Sequence, residues 1–247
     1  MTDWNHWLKR YDKPRSPHSQ RLATVQRLIG RRLDRTAPRP VSALSICAGD
    51  GRDILDVLGA RADASRVTTT LVELDARLCA LARARALENR LTGVDIRQAD
   101  AGATDAYAGV SAADLVILVG VFGNIADADV RTTLKLLPAL CKPEALVIWS
   151  LRQQARRDQG RCGSPRRQVG SQRRNDYERV EKVREWFDAE GFREVFASRA
   201  DAAFYVGANR YVGEPPLLPA GYRFFTFDVR PEKPPSDEFE IGRSPAD

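Results

Sequence analysis

The sequence has few histidines, few cysteines and no long apolar run. Only His6 and His18 occur in 247 residues, so a histidine-rich metal site is not expected. The cysteines at 47, 79, 141 and 162 are scattered, without a C-x-x-C pair. That spacing argues against a zinc site or a disulfide framework and for reduced, mostly buried thiols in a cytoplasm. No window approaches the roughly 18 consecutive apolar residues of a membrane span. Met1-Thr2-Asp3-Trp4-Asn5-His6 is not a basic region leading into an apolar core, so no secretion signal is expected.

What is present is an ordinary soluble balance, 43% hydrophobic and 29% charged, in a length that suits one well-buried domain. The net charge of +6 is local. Residues 152–175 hold eight arginines against the single acid Asp158, a charge of +7, so the rest of the chain is nearly neutral. A nucleic-acid surface over the whole protein is therefore not implied.

Residues 1–40 read as an aromatic N-terminal arm and a helix. Ser19 resembles a cap, and Leu22, Val25, Leu28, Ile29 and Leu33 follow at helical spacing before the prolines at 38 and 40. Strand and helix patterns then alternate. Strands are expected over 41–47, 67–73, 94–98, 114–119 and 145–150, and helices over 53–59, 76–90 and 128–140. Residues 152–176 read as a flexible Arg-rich insert and 177–191 as a helix. Residues 193–198 and 203–212 read as an antiparallel hairpin at the sheet edge, with one more strand over 222–229. Pro-rich residues 230–247 read as a disordered tail. The expected fold is α/β, a doubly wound, mainly parallel seven-stranded sheet with an antiparallel C-terminal hairpin, and the main domain spans 41–229.

One segment carries chemical information. The apolar run ending at Cys47 enters the turn Ala48-Gly49-Asp50-Gly51, and 22 residues after Gly51 a second apolar run ends in Glu73. In an open α/β sheet such glycines admit a ligand close to the backbone, and such an acid hydrogen-bonds ribose hydroxyls. A nicotinamide dinucleotide requires a third glycine three residues after the second, and Ile54 stands there. Asp50 and Asp53 would also repel a pyrophosphate at that helix start. S-adenosylmethionine, with a sulfonium and a zwitterionic methionine end, tolerates both acids.

From about Val41 to Val212 the chain resembles the class I S-adenosylmethionine-dependent methyltransferases. Cys47-Ala48-Gly49-Asp50-Gly51 resembles their first motif, and Val72-Glu73-Leu74-Asp75 their second. Gln98-Ala99-Asp100-Ala101 resembles the third, residues 113–122 the fourth, and Leu137-Pro138-Ala139-Leu140-Cys141-Lys142-Pro143 the fifth. The resemblance implies that Cys47, Ala48, Gly49, Asp50, Gly51, Glu73, Leu74, Asp100, Ala101, Gly120 and Val121 line a cofactor site. Glu73 would meet the ribose and Asp100 the adenine amino group. Two positions depart from the family: Ser45 stands where an acid that helps hold the methionine amino group is frequent, and Cys47 where a glycine is. Asp50 is the expected substitute for the missing acid.

Methyl transfer is an in-line displacement that asks chiefly for positioning and exclusion of water, so catalytic residues leave little trace in sequence. Asn124, in Gly120-Val121-Phe122-Gly123-Asn124, suits either an acceptor contact or a turn cap. His18 and His6 suit either a base or a packed surface imidazole. Glu73 and Asp100 each have a plainer reading, as a solvated strand end and a turn cap. Trp4, Trp7 and Tyr11 suit either an acceptor pocket wall or a staple holding the arm. The arginine-rich segment suits an RNA clamp or a solvated insert, and the insert is preferred because it lacks aromatics to stack bases. An Asn/Asp-Pro-Pro-aromatic motif and a Pro-Cys pair are both absent after the fourth strand, which weighs against base methylation. The expected function is a cytoplasmic S-adenosylmethionine-dependent methyltransferase acting on a small or medium-sized acceptor at O or N, without a metal or a membrane. The alternatives are an RNA methyltransferase using the arginine loop, and a non-catalytic cofactor-binding regulator.

Overall fold

A computed structural model describes residues 11, 13, 15–152, 167–198 and 203–227, with the backbone alone over 167–176. Helix α1 (Pro17–Thr36) starts the described fold. Its cap is Ser16, not Ser19: the Ser16 hydroxyl accepts from the Ser19 N–H at 3.1 Å, and Pro17 opens the helix. Proline suits that place because it has no N–H to leave unpaired. The buried face of α1 is Arg21, Val25, Leu28, Ile29, Leu33 and Thr36.

Strand β1 (Val41–Ile46) leads through the glycine turn into α2 (Arg52–Gly59). Strand β2 (Val67–Glu73), α3 (Ala76–Glu88), β3 (Val94–Gln98), β4 (Ala113–Leu118), α4 (Asp127–Leu136) and β5 (Cys141–Arg152) follow. Helix α5 (Arg167–Ala189), β6 (Phe192–Ala197) and β7 (Phe204–Tyr211) complete the sheet. The strand order is β3-β2-β1-β4-β5-β7-β6. The first five strands are parallel, and β7 lies antiparallel between β5 and β6. The sheet is thus seven-stranded and doubly wound, as the alternation of elements in the sequence implies.

Because side chains alternate along a strand, the sheet buries two apolar layers. Val41 and Ala43 of β1 pack with Val25, Ile29, Leu33, Ile54, Leu55, Leu58 and Ala82 of α1, α2 and α3. Leu44 and Ile46 pack on the opposite face, in the layer that holds Val130 and Leu134 of α4 and Val180, Val183 and Phe187 of α5.

Four expected elements differ in extent. The helix expected over 128–140 is α-helical only to Leu136, and Leu137–Leu140, with Pro138, form a 3-10 turn. Strand β5 starts at Cys141 rather than 145, with a register break between Ala113 and Leu115 of its partner. Helix α5 begins at Arg167, ten residues before its apolar periodicity starts; the rest of the supposed insert, 153–166, lies outside the described residues. The strand expected over 222–229 is, through residue 227, an irregular strap with one antiparallel bridge, Ala103 to Arg223. Backbone and side-chain partners, not a neighbouring strand, hold that strap. The Thr104 N–H donates to the Tyr222 carbonyl at 2.9 Å, the Phe224 N–H to the Gly102 carbonyl at 2.7 Å, and the Thr226 N–H to Asp129 at 2.9 Å. Phe224 and Phe225 are buried beneath it. The expected tail, 230–247, and His6, Trp4, Trp7 and Cys162 also lie outside the described residues.

Candidate cofactor-binding site

With β1 between β2 and β4, the chain reverses its winding beside β1, and the crevice of an open α/β sheet lies at the carboxyl ends of such strands. The turn after β1 is shaped there by three left-handed residues, Cys47 (φ 55°), Gly49 (φ 59°) and Gly51 (φ 73°). The two glycines do different work. A Cβ on Gly51 would lie 2.6 Å from both Leu55 Cδ1 and Leu71 Cδ2, so this glycine serves helix–strand packing. A Cβ on Gly49 would meet nothing within 4 Å, so that backbone faces open space. Cys47 stands where the resemblance leads one to expect glycine: the position has a positive φ, which a glycine would adopt freely and a cysteine adopts at a cost of about 1 kcal/mol. Its half-buried thiol is pushed well above the usual thiol range by desolvation and by the Glu73 and Asp100 carboxylates.

Glu73 ends β2 against this turn and is 9% exposed. One carboxylate oxygen accepts from the Gly49 N–H at 2.8 Å, and the other from the N–H groups of Leu74 at 2.9 Å and Asp75 at 3.0 Å. A carboxylate offers about four acceptor sites, so room remains for a hydroxyl donor. Leu74, immediately after it, is 64% exposed, an apolar side chain left at the site's rim. Asp75 caps α3 instead, accepting from Arg77 and Leu78. Asp100 lies after β3. One of its oxygens accepts from the Gly102 N–H at 2.9 Å and the other from Arg223 of the strap at 2.9 Å. Ala101 and Val121 are buried and offer the site only backbone.

Asp50 is not placed as the sequence suggests. Its side chain is 5% exposed and paired with Arg52 at 2.6 Å and Arg85 at 3.0 Å. Burial would raise its pKa, but the Arg52 hydrogen bond and the charges of Arg52 and Arg85 prevail and hold it low. Arg85 also pairs with Asp56 at 2.6 Å, so Asp50 belongs to a clamp joining α2 to α3. Two guanidiniums already satisfy it, and this argues against a contact with a ligand ammonium.

After β4, Gly120 has φ 81°, and its N–H donates to the Ser150 hydroxyl at 3.1 Å. The Asn124 side chain donates to the Gly120 carbonyl at 2.7 Å and braces this loop. Phe122 turns inward, with ring centroids 5.8 Å from Trp149 and 6.1 Å from Phe187, so it does not fill the crevice. His18 packs edge-on between Tyr11, at 5.5 Å, and Phe204, at 5.0 Å.

Sequence reasoning missed Arg21 and read Asp53 only as a charge unfavourable to a pyrophosphate. Arg21 is 7% exposed, with its guanidinium 4.8 Å from the Phe204 ring centroid, and its Nη1 lies 3.7 Å from where a Gly120 Cβ would sit. It also donates to the Tyr11 hydroxyl. Asp53, in the first turn of α2, is partly buried, and burial pushes its pKa up to about 6 against the opposing charge of Arg21. The available signal was a single arginine on the core face of α1, four residues before Val25.

Among the described residues no group of His, Cys, Asp or Glu is arranged to hold a metal ion, and Cys47, Cys79 and Cys141 are free thiols. No described helix is long and apolar enough to cross a membrane. The residues present suit S-adenosylmethionine better than a dinucleotide. Glu73 retains acceptor capacity for a ribose, Gly49 opens onto free space, and the first turn of α2 carries Asp53, an acid without an ion-pair partner among the described residues where a pyrophosphate would need positive charge.

No protein-family model and no curated protein matches the sequence. Solved structures do match. The CurJ carbon methyltransferase superimposes with a TM-score of 0.62 at 15% identity, over 85% of this chain and 59% of that one. Magnesium protoporphyrin IX methyltransferase from Synechocystis PCC 6803, solved with bound S-adenosylmethionine, gives 0.57 at 13% identity, over 85% and 91%. The [4+2]-cyclase SpnF gives 0.50 at 17% identity, over 76% and 82%. The chain has the class I S-adenosylmethionine-dependent methyltransferase fold.

Proposed function

We propose that the protein is an S-adenosylmethionine-dependent methyltransferase that acts on a small or medium-sized acceptor at oxygen or nitrogen. The carrying observation is the joint between Glu73 and Gly49: a buried carboxylate at the end of β2, bonded to the backbone of a glycine turn that faces open space. In this reading the carboxylate accepts from the ribose hydroxyls, and exposed Leu74 lies against the adenine. The backbone of Cys47, Ala48, Gly49 and Gly51 follows the ligand, and Gly120 and Val121 border it from β4. Asp100 would meet the adenine amino group while it stays paired with Arg223. The bound cofactor supplies an electrophilic methyl on a sulfonium.

The protein's own task is to hold an acceptor in line and keep water away. In this reading the Gly120–Asn124 loop and the Tyr11–His18–Phe204 wall border the acceptor. His18 is the candidate for removing an acceptor proton, while Asn124 acts as the loop's brace. Phe122, buried with Trp149, leaves the acceptor side open, which favours an enzyme over a regulator with a blocked crevice. A second reading, a fold of this kind put to chemistry other than methyl transfer, is supported by the similarity to the [4+2]-cyclase SpnF.

Calorimetric titration with S-adenosylmethionine, and separately with a nicotinamide dinucleotide, tests the cofactor. Saturable heat with the first and none with the second is expected. The reverse would overturn the proposal.

A further inference from the structure

A ribose held at Glu73 sends the other end of the ligand toward β1 and β4. There the acid frequent in the family is replaced by Ser45, and Asp50 is bound to Arg52 and Arg85. Something else must receive a carboxylate and an ammonium, since burying either unpaired is costly.

Arg21 has the properties of the first partner. Its guanidinium is buried between the rings of Tyr11 and Phe204, at 5.7 and 4.8 Å from their centroids. Nη2 donates to the Tyr11 hydroxyl, which fixes the plane of the fork. Nε is buried without a hydrogen-bond partner. Nη1 points at Gly120, where the missing side chain leaves space. Among the described residues no carboxylate forms an ion pair with Arg21 within 4.0 Å. A buried guanidinium with donors to spare, walled by aromatics, is suited to bidentate capture of a carboxylate.

Asp53 has the properties of the second. It projects from the first turn of α2, and no described residue donates a hydrogen bond to it. Arg21 is the leading opposite charge it senses; Arg52 is the other, while Asp50 and Asp56 repel. Arg52 is itself bound to Asp50 and stacked 4.6 Å from the Tyr11 ring centroid.

We propose that Arg21 and Asp53 form the subsite for the α-amino-acid end of the cofactor, Arg21 binding the carboxylate and Asp53 the ammonium. This rests on the cofactor reading above. The pair is complementary to a zwitterion, so both ligand charges are matched while the local net charge stays unchanged. Helix α1 thereby becomes part of the cofactor site and not only a cover for the sheet.

The test compares S-adenosylhomocysteine with 5′-methylthioadenosine, which keeps the nucleoside and thioether but lacks the amino-acid end. Affinities are measured by calorimetry on the wild type and on Arg21→Met, Arg21→Lys and Asp53→Asn, with thermal melts to verify folding. The wild type should prefer S-adenosylhomocysteine by about tenfold or more, the worth of one charged hydrogen bond. Arg21→Met and Asp53→Asn should each erase most of that preference and leave 5′-methylthioadenosine binding within about twofold. Arg21→Lys should retain part of it. Equal weakening of both ligands would mean that Arg21 only props the arm, and unchanged affinities would refute the subsite while sparing the cofactor reading. A wild type that binds neither nucleoside would refute both.

Discussion

Two glycines two residues apart should fail in opposite ways when given a methyl group. Gly51→Ala places a Cβ 2.6 Å from two leucine methyls in a backbone with φ 73°. Left-handed strain of about 1 kcal/mol adds to overpacking of roughly 1–3 kcal/mol, for a loss of about 2–4 kcal/mol. Gly49→Ala carries similar backbone strain at φ 59° but meets no atom within 4 Å, so its stability loss should be only about 1 kcal/mol. The same methyl would stand where the ligand is to approach, and affinity for S-adenosylhomocysteine should drop by about tenfold or more. Urea unfolding gives the stabilities, and calorimetry gives the affinities. A Gly49→Ala protein that binds normally would remove the turn from the site. A Gly51→Ala protein as stable as the wild type would show that the packing between α2 and β2 yields more easily than its leucines indicate.

Other outcomes follow from the charged groups and the strap. Asp50→Asn strands Arg52, while Arg85 keeps Asp56, and should cost about 2–3 kcal/mol in a urea melt, with S-adenosylhomocysteine affinity nearly unchanged. Asp53 must be ionised to receive an ammonium, and its pKa stands at about 6 in the free protein. Affinity should therefore rise with pH through about 6 and level off above it, and Asp53→Asn should flatten that profile; an unchanged slope would assign the titration to another group. Phe224→Ala removes a buried ring that meets Tyr107 edge-on at 5.4 Å, and should cost roughly 3–5 kcal/mol in the same melt.

The sheet was legible because its signals are local. β2 and β3 have the bounds that their Val, Ile and Thr content and flanking turns imply, and the left-handed turn announces itself through Gly49 and Gly51. What stayed hidden depends on partners distant in sequence. The direction of the Asp50 carboxylate is set by Arg85, 35 residues away, and the Arg223–Asp100 pair spans 123 residues. Residues 222–227 have the composition of a strand, but their backbone bonds go to the loop after β3 and to α4, so no ladder forms. Arginine is a good helix former, so Arg21 looks unexceptional in α1 until its neighbours Phe204 and Gly120 are known. The early start of α5 has a similar cause. Its first ten residues are mostly polar, carry Gly170, Ser171, Asn175 and Asp176 among them and have no apolar stripe, so neither propensity nor periodicity marks them as helix.

The central claim is that the crevice at Gly49, Glu73 and Gly120 holds S-adenosylmethionine. A crystal structure with S-adenosylhomocysteine tests it most directly. The ribose hydroxyls should lie within hydrogen-bonding distance of the Glu73 carboxylate, with the amino-acid end beside Arg21 and Asp53. A ligand bound elsewhere, or none at a saturating concentration, would contradict the account.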